Sequence, residues 1–242
     1  MIIAVRRIVG SVVIAAVLLA MVFALFALVR SRPQDMPWTD LALGQPVGVF
    51  TRGKLVALRE DFATCRGLLD RAGIDYTALA PVSAGQCGYS DGIRFTDGGA
   101  RAIDFAPSNL GVSCPVAAAL AMWEWNVVQP AAQRHFGSKV TRIDHLGSYN
   151  CRRLYGRDTG DFSQHATANA VDIAGFRTAK GDRISVLDDW GDKAAKGAFL
   201  REVRDGGCDL FATVLSPDYN AAHRDHFHLD QANRSMGWGT CR

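Results

Sequence analysis

An unbroken apolar stretch opens the chain: residues 8–29 contain no charged side chain. Basic residues flank this stretch on both sides: Arg6, Arg7, Arg30 and Arg32. As a helix it would span about 33 Å, which is enough for the hydrocarbon core of a bilayer. A cleavable signal peptide has a shorter apolar region, of about 7–15 residues, and a small-residue cleavage site, which residues 26–30 match poorly. We therefore predict an uncleaved signal anchor over residues 1–30, with a cleaved signal as the alternative.

After the apolar stretch, the pattern of apolar and polar residues predicts short helices and short strands. Residues 31–59 contain prolines and polar residues, and we interpret them as a tether to a domain at 60–242. Helical spacing of apolar residues predicts a helix at 60–72, and an apolar run after Pro115 predicts a buried helix at 116–128. The other predicted elements are strands at 93–95, 102–105, 140–145, 184–187, 210–215 and 227–229 and an amphipathic helix at 193–204. This order favours an α+β fold in which helices flank a small antiparallel sheet.

Composition is that of an ordinary globular domain, with 48% hydrophobic and 21% charged residues. The formal net charge is only +3, and part of it flanks the apolar stretch. No run of Lys and Arg is long enough to bind a phosphate backbone, so we expect no nucleic-acid partner.

Cysteines, all behind the apolar stretch, indicate an oxidising compartment. They are Cys65, Cys87, Cys114, Cys151, Cys208 and Cys241. None are spaced as Cys-x-x-Cys, which argues against a structural zinc cluster or a thioredoxin-type site. An even number behind an export signal predicts three disulfides. We take Cys65–Cys87 as the first expectation, because these two are neighbours near the start of the domain. Reduced thiols in a cytosolic domain are the alternative.

Two clusters in the second half of the chain carry candidate metal ligands. Six residues separate His165 from Asp172, so a loop can present the imidazole and the following strand the carboxylate. His226 and His228 lie two apart, so on a strand both would point to one face and Phe227 to the other. His165, Asp172 and His228 would give zinc two nitrogens and one oxygen. A hydrolytic zinc site needs three such protein ligands and one open position for water.

Further residues are candidates for catalysis. Asp225, three residues before His228, is the expected base, because a carboxylate near the metal can move a proton from the attacking water to the leaving amine. His226 is the other candidate, as an orienting or donor group. Arg152 follows a turn of small residues, where a guanidinium could bind a carboxylate or stabilise an oxyanion. The remaining histidines fit a surface or loop position as well as a site: His135, His145 and His223.

From about residue 62 onwards, the chain resembles the extensin-like C-terminal domain of bacterial proteins. The stretches that carry the resemblance are 147–152 (Gly-Ser-Tyr-Asn-Cys-Arg), 163–176, 189–190, 214–230 and 241–242. In motif, that domain is similar to the group of D-alanyl-D-alanine peptidases, lysostaphin-type endopeptidases and hedgehog signalling domains. Members of this group hold zinc with a His-x6-Asp element and a His-x-His element on a small antiparallel sheet.

The resemblance implies the same three zinc ligands: His165, Asp172 and His228. It makes Asp225 the base and Arg152 the residue that polarises the substrate. Two positions depart from the pattern. Ala168 stands where the peptidases usually have glycine. Asp225 stands where the D-alanyl-D-alanine branch usually has glutamate, whose side chain is one methylene longer.

We therefore expect a zinc peptidase that acts on peptidoglycan peptides of the cell wall. The anchor would lie in the inner membrane of a bacterium, and the domain in the periplasm. A non-catalytic zinc module that binds the wall or a partner is the alternative, because the hedgehog relatives show that such a site need not imply proteolysis. A disulfide-bonded domain without metal is a third, weaker interpretation.

Overall fold

The computed structural model describes residues 2–234 and 239–242. Its first helix, α1 (Ile2–Ser31), contains the apolar segment Val5–Ser31, in which a stretch of 18 residues has a mean hydropathy of 3.2 and no part buried against the rest of the chain. By length and composition this helix could cross a membrane, and it is compatible with a signal anchor. An N-terminal signal sequence has the same features.

Helices and strands are interspersed along the folded part. The remaining α-helices are α2 (Thr51–Ala57), α3 (Phe62–Arg71), α4 (Cys114–Trp123), α5 (Gln129–Phe136), α6 (Val186–Asp189) and α7 (Ala195–Gly207). The strands are β1 (Tyr76–Ala78), β2 (Val82–Ala84), β3 (Cys87–Tyr89), β4 (Gly92–Phe95), β5 (Asp104–Ala106), β6 (Gly111–Ser113), β7 (Val140–Gly147), β8 (Ala170–Thr178), β9 (Arg183–Ser185), β10 (Thr213–Leu215), β11 (Phe227–Asp230) and β12 (Thr240–Cys241).

The strands form a central sheet in the order β12-β10-β11-β8-β7-β5, with β9 paired to β8. Strands β1, β4 and β6 form a second sheet, and β2 and β3 pair separately. The middle of the central sheet is antiparallel, whereas its outer pairs β5–β7 and β10–β12 are parallel. The predicted α+β class is confirmed, with a sheet that is larger and more mixed than expected.

One side of the central sheet packs against the helices. Every residue of α4 is buried, and its Trp123 contacts Phe176 of β8 with ring centroids 5.8 Å apart. The Trp123 indole donates a hydrogen bond to the Val203 carbonyl of α7, at 2.9 Å. Phe227 and Leu229 of β11 also lie in this core. The alternate side chains of β8 and β11 therefore face away from the helices, where the candidate ligands lie.

Element boundaries differ from the sequence-based prediction at one instructive place. The apolar pattern predicts a strand at 184–187, but β9 ends at Ser185 and α6 begins at once. The Ser185 hydroxyl accepts a hydrogen bond from the Asp188 amide, and the Asp189 carboxylate accepts one from the Ser185 amide. These capping contacts start a helix where the apolar pattern alone suggests continued extension.

Residues 31–59, which the sequence predicts to be a tether, contribute to the folded unit. Leu43, Leu55 and Leu58 are buried in the same core as α4. Upstream of them, the Asp35 carboxylate accepts a hydrogen bond from the Val49 amide, at 2.9 Å. The chain is therefore attached to the domain within a few residues of the end of α1.

The three predicted disulfides are confirmed, but the pairing Cys65–Cys87 is wrong. The bonds are Cys65–Cys114, Cys87–Cys151 and Cys208–Cys241. Cys65 lies on the buried face of α3, which packs on α4, and Cys114 is the first residue of α4. Helix packing, rather than nearness in sequence, thus selects the partner of Cys65.

Candidate metal centre

The site is built on the antiparallel pair β8–β11. Asp172 of β8 lies directly opposite His228 of β11 in the register. Side chains at directly opposed positions project from the same face of a sheet with Cβ atoms about 5 Å apart. The pairing therefore brings one carboxylate and one imidazole together without any loop.

His165 reaches the same place from a short 3-10 helix, Gln164–Thr167, just before β8. The Ser163 hydroxyl accepts a hydrogen bond from the His165 amide and caps this turn. Ala168 ends the turn in the left-handed conformation, with φ 53°. That conformation costs a non-glycine residue about 1–2 kcal/mol. It gives a physical reason why glycine would suit this position, and the chain adopts the turn with alanine.

Three ligand atoms converge at this site. The Nε2 atom of His165 lies 3.1 Å from Nδ1 of His228 and 3.2 Å from Oδ1 of Asp172. The same Asp172 oxygen lies 3.0 Å from the Nδ1 atom of His228. Two ligands of a tetrahedral zinc ion, each about 2.0–2.1 Å from the metal, lie about 3.3 Å apart. The spacing of the cluster is thus close to that of three ligands around one small cation.

Outer partners orient both imidazoles toward the centre. The Nδ1 atom of His165 lies 2.6 Å from the Ser148 carbonyl oxygen, and Nε2 of His228 lies 3.1 Å from an Asp230 carboxylate oxygen. Carbonyl and carboxylate oxygens accept only, so these ring nitrogens are the donors. The other nitrogen of each ring then presents a lone pair beside Asp172. Three acceptors in contact repel one another unless a cation lies between them, and a proton or a metal ion meets that need.

The protonation of the cluster follows the same logic. Burial alone would lower the pKa of His228, but hydrogen bonds to Asp172 and Asp230 outweigh burial and raise this pKa to about 9. Burial alone would raise the pKa of Asp172, and its hydrogen bonds with His165 and His228 hold that pKa well below its usual range. Both shifts have one cause, since the cluster favours a positive charge beside Asp172, which a proton or a metal ion can supply.

His226 lies beside the cluster and is paired with Asp225. Its Nε2 atom is 3.6 Å from Oδ1 of Asp172, and its Nδ1 atom is 2.8 Å from Oδ1 of Asp225. The Asp225 side chain is 44% exposed, against 12% for His226. The structure therefore places an imidazole, oriented by a carboxylate, next to the three ligands, and it places Asp225 one step further out.

His223 joins the site although the sequence left its role open. Its ring lies 5.3 Å from that of His226 and 6.0 Å from that of His228, measured between centroids. Its Nδ1 atom is 2.8 Å from the Asn220 side-chain oxygen. Burial, followed by the charges of His226 and His228, lowers the pKa of His223 to about 4, so the ring is neutral at pH 7.

Arg152 is exposed near this edge of the site. Its positive charge contributes to the lowered pKa of His223. The other two histidines lie elsewhere. His135 pairs with Glu202 on the surface, and buried His145 contacts the Pro107 carbonyl oxygen.

A comparison with protein-family models matches residues 63–242 to the extensin-like protein C-terminus family. The chain belongs to this family. The matched range contains the cluster and every cysteine, and it begins beyond α1. No curated protein and no solved structure matches the chain. The chemistry of the extensin-like domain is therefore inferred from its own geometry.

Asp230 is the outer partner that the sequence pattern could have indicated. It follows His228 by two residues on β11, so the same period-two alternation places both on one face. The sequence gives no such indication for the Ser148 carbonyl, because every residue type has the same backbone oxygen. In the extensin-like domain, both groups have the same task, which is to fix an imidazole.

We expect Asp230→Ala to weaken zinc binding about 10–100-fold, the usual cost of losing an outer partner of a metal-binding histidine. Without Asp230 the His228 ring is free to rotate, and its basicity falls. Competition with a chromogenic chelator would measure the affinity, with exposed Asp209→Ala as the matched control. An unchanged affinity in a folded Asp230→Ala protein would contradict the role given to this carboxylate.

Proposed function

We propose that the extensin-like domain is a zinc-dependent peptidase that acts on peptidoglycan peptides in the cell envelope. The observation that carries the proposal is the convergence of two imidazole nitrogens and one carboxylate oxygen at 3.0–3.2 Å. Two histidines and a carboxylate are a ligand set of hydrolytic zinc sites. Zinc held by His165, Asp172 and His228 would polarise a scissile carbonyl and activate water near neutral pH.

The surrounding residues supply the remaining requirements of peptide hydrolysis. His226 is within reach of the reacting groups and is oriented by Asp225, so the two together can accept a proton and return it to a leaving amine. Neutral His223 donates its one N–H, at Nδ1, to the Asn220 side-chain oxygen, so its Nε2 atom can accept a hydrogen bond from water or from a substrate N–H. Exposed Arg152 can bind a substrate carboxylate or oxyanion from the same side.

Other features of the chain support the proposed location of the substrate. An N-terminal helix long enough to cross a membrane and three disulfides together favour the outer side of a membrane, with the periplasm of a bacterium as the proposed compartment. The polymer outside the inner membrane that contains peptides is the wall. Peptidoglycan peptides are therefore the proposed substrate.

A second function is favoured by one observation. Asp225, expected to be the base, hydrogen-bonds to His226 instead of reaching the three-ligand cluster. A domain of this kind could retain zinc and bind a wall peptide without cutting it. Turnover of muropeptides distinguishes the peptidase from such a binding module.

Purified full-length chain loaded with zinc is expected to digest muropeptides. Asp225→Ala and His226→Ala should each lower kcat about 100-fold, which is typical for loss of a proton-transfer group. Because the two residues form one hydrogen-bonded unit, the double variant should be no slower than either single one. Chromatography of the products and zinc analysis of each variant provide the readout.

Exposed Asp209→Ala serves as the control for removal of a carboxylate. Full activity in both Asp225→Ala and His226→Ala would contradict the proposed proton transfer. Binding of muropeptides by the wild type without any turnover would replace the peptidase by the binding module.

A further inference from the structure

A cleft of about 220 Å³ opens on the ligand-bearing side of the central sheet. Its walls come from three neighbouring strands and the segments beside them. The residues that matter are Asp144 and Leu146 of β7, Ala174 of β8, Arg183 of β9, Leu187 of α6 and Asp225.

The cleft lies next to the metal-binding cluster. Ala174, two residues beyond Asp172 on β8, lies at a register irregularity, between the pairs His145–Ile173 and Asp144–Gly175. At the other wall, Asp225 hydrogen-bonds to His226, whose Nε2 atom lies 3.6 Å from Asp172. A chain bound in the cleft would therefore run directly into the cluster.

The walls of the cleft have a distinct chemistry. Leu146 and Leu187 are 59% and 55% exposed, which is unusual for two leucines in one depression. Asp144 is neutralised by ion pairs with Arg142 and Arg177.

Among the charged residues that line the cleft, one cationic side chain, Arg183, is available to bind a ligand. Asp225 pairs with His226. Exposed Arg183 has no carboxylate partner among the residues that the structure describes. The available groups are thus two apolar surfaces and one guanidinium, which binds carboxylates well.

The register gives the length of the site. Arg183 pairs with Arg177, five residues beyond Asp172 along β8. At about 3.3 Å per residue, Asp172 in the cluster and the Arg183 end of the cleft are at most about 17 Å apart, because β8 is irregular between Ile173 and Gly175. An extended peptide of about five residues covers that distance.

We propose that this cleft binds the substrate as an extended peptide, with an apolar side chain between Leu146 and Leu187 and a carboxylate on Arg183. The inference rests on the proposed peptidase function and adds the direction of the substrate and one determinant of its specificity. The scissile bond lies at the cluster, and the recognised carboxylate lies up to about five residues away from it.

The test compares Arg183→Glu with Arg94→Glu in the full-length chain. Both arginines are exposed on strands, and Arg94 lies in the other sheet. The probes are muropeptides from purified peptidoglycan and the same muropeptides with their carboxylates amidated. Arg183→Glu should lower kcat/KM about tenfold on the native muropeptides, mainly through KM, and less than twofold on the amidated ones. Leu187→Asp should lower kcat/KM on both, and zinc content should not change.

Equal kinetics of Arg183→Glu and Arg94→Glu on native muropeptides would overturn the proposal. The proposal would also be overturned if Arg183→Glu changed the balance between monomer and dimer without changing the kinetics. The cleft would then be a contact with a second copy of the chain and not a substrate site. If the wild type binds muropeptides without cutting them, calorimetry takes the place of kinetics. In that case, a tenfold weaker Kd in Arg183→Glu supports the cleft as the binding site, although the peptidase function is refuted. An unchanged Kd refutes the cleft as well as the peptidase function.

Discussion

Replacing His165 by alanine is expected to abolish stoichiometric zinc binding and all zinc-dependent hydrolysis. The residue supplies one of three converging ligand atoms, and its loss leaves Asp172 and His228 as an incomplete pair. Loss of an outer partner alone costs about 10–100-fold in affinity, so loss of a direct ligand should cost at least about 100-fold. Elemental analysis of the purified full-length chain, before and after dialysis against a weak chelator, measures the effect.

His135→Ala is the matched control, because His135 forms a surface pair with Glu202 on α5 and α7. This variant should retain one zinc per chain. Equal zinc content in the His165→Ala and His135→Ala proteins would refute the assignment of the ligands. A wild-type chain that takes up no zinc at all would refute the metal centre itself.

Removal of the Cys65–Cys114 disulfide should have a large effect on stability. The bond closes a loop with a sequence separation of 49 residues, for which chain entropy gives about 4 kcal/mol. Both cysteines are fully buried where α3 meets α4, so substitution also disturbs packing. We expect the double variant Cys65→Ala/Cys114→Ala to lower the folding equilibrium constant about a thousandfold. Urea denaturation followed by tryptophan fluorescence measures this change.

The control is Cys208→Ala/Cys241→Ala, which removes a bond of sequence separation 33 at the edge of the sheet. Chain entropy predicts a similar contribution there, but Cys241 is exposed and its loss leaves no cavity in the core. The control should therefore lose less stability. A greater loss of stability in the control would show that the Cys208–Cys241 bond at the sheet edge matters more than the Cys65–Cys114 bond between α3 and α4.

Much of the candidate site could be predicted because local periodicity determines it. The alternation of residues 226–230 places Phe227 and Leu229 in the core and His226 and His228 on the opposite face, as expected. The loop that presents His165 and the strand that presents Asp172 also follow from the local pattern. Such features depend on a few neighbouring residues, which sequence analysis can examine.

The features that were missed depend on contacts between distant parts of the chain. Cys65 pairs with Cys114 because two helices pack together, and no spacing rule contains that information. The orientation of Asp225 toward His226 depends on the side-chain angles of two adjacent residues at the start of β11. His223 enters the site because a turn after β10 folds back over His226. Each of these results from tertiary packing, which a single sequence does not reveal.

The hydrogen bond between Asp35 and Val49 limits where the domain can work. With α1 in a bilayer, only four peptide links separate Ser31 from a residue that is already fastened to the domain. A fully extended chain covers at most about 14 Å over that length. The domain would then be held directly next to the membrane surface, without a long flexible tether to carry it outward.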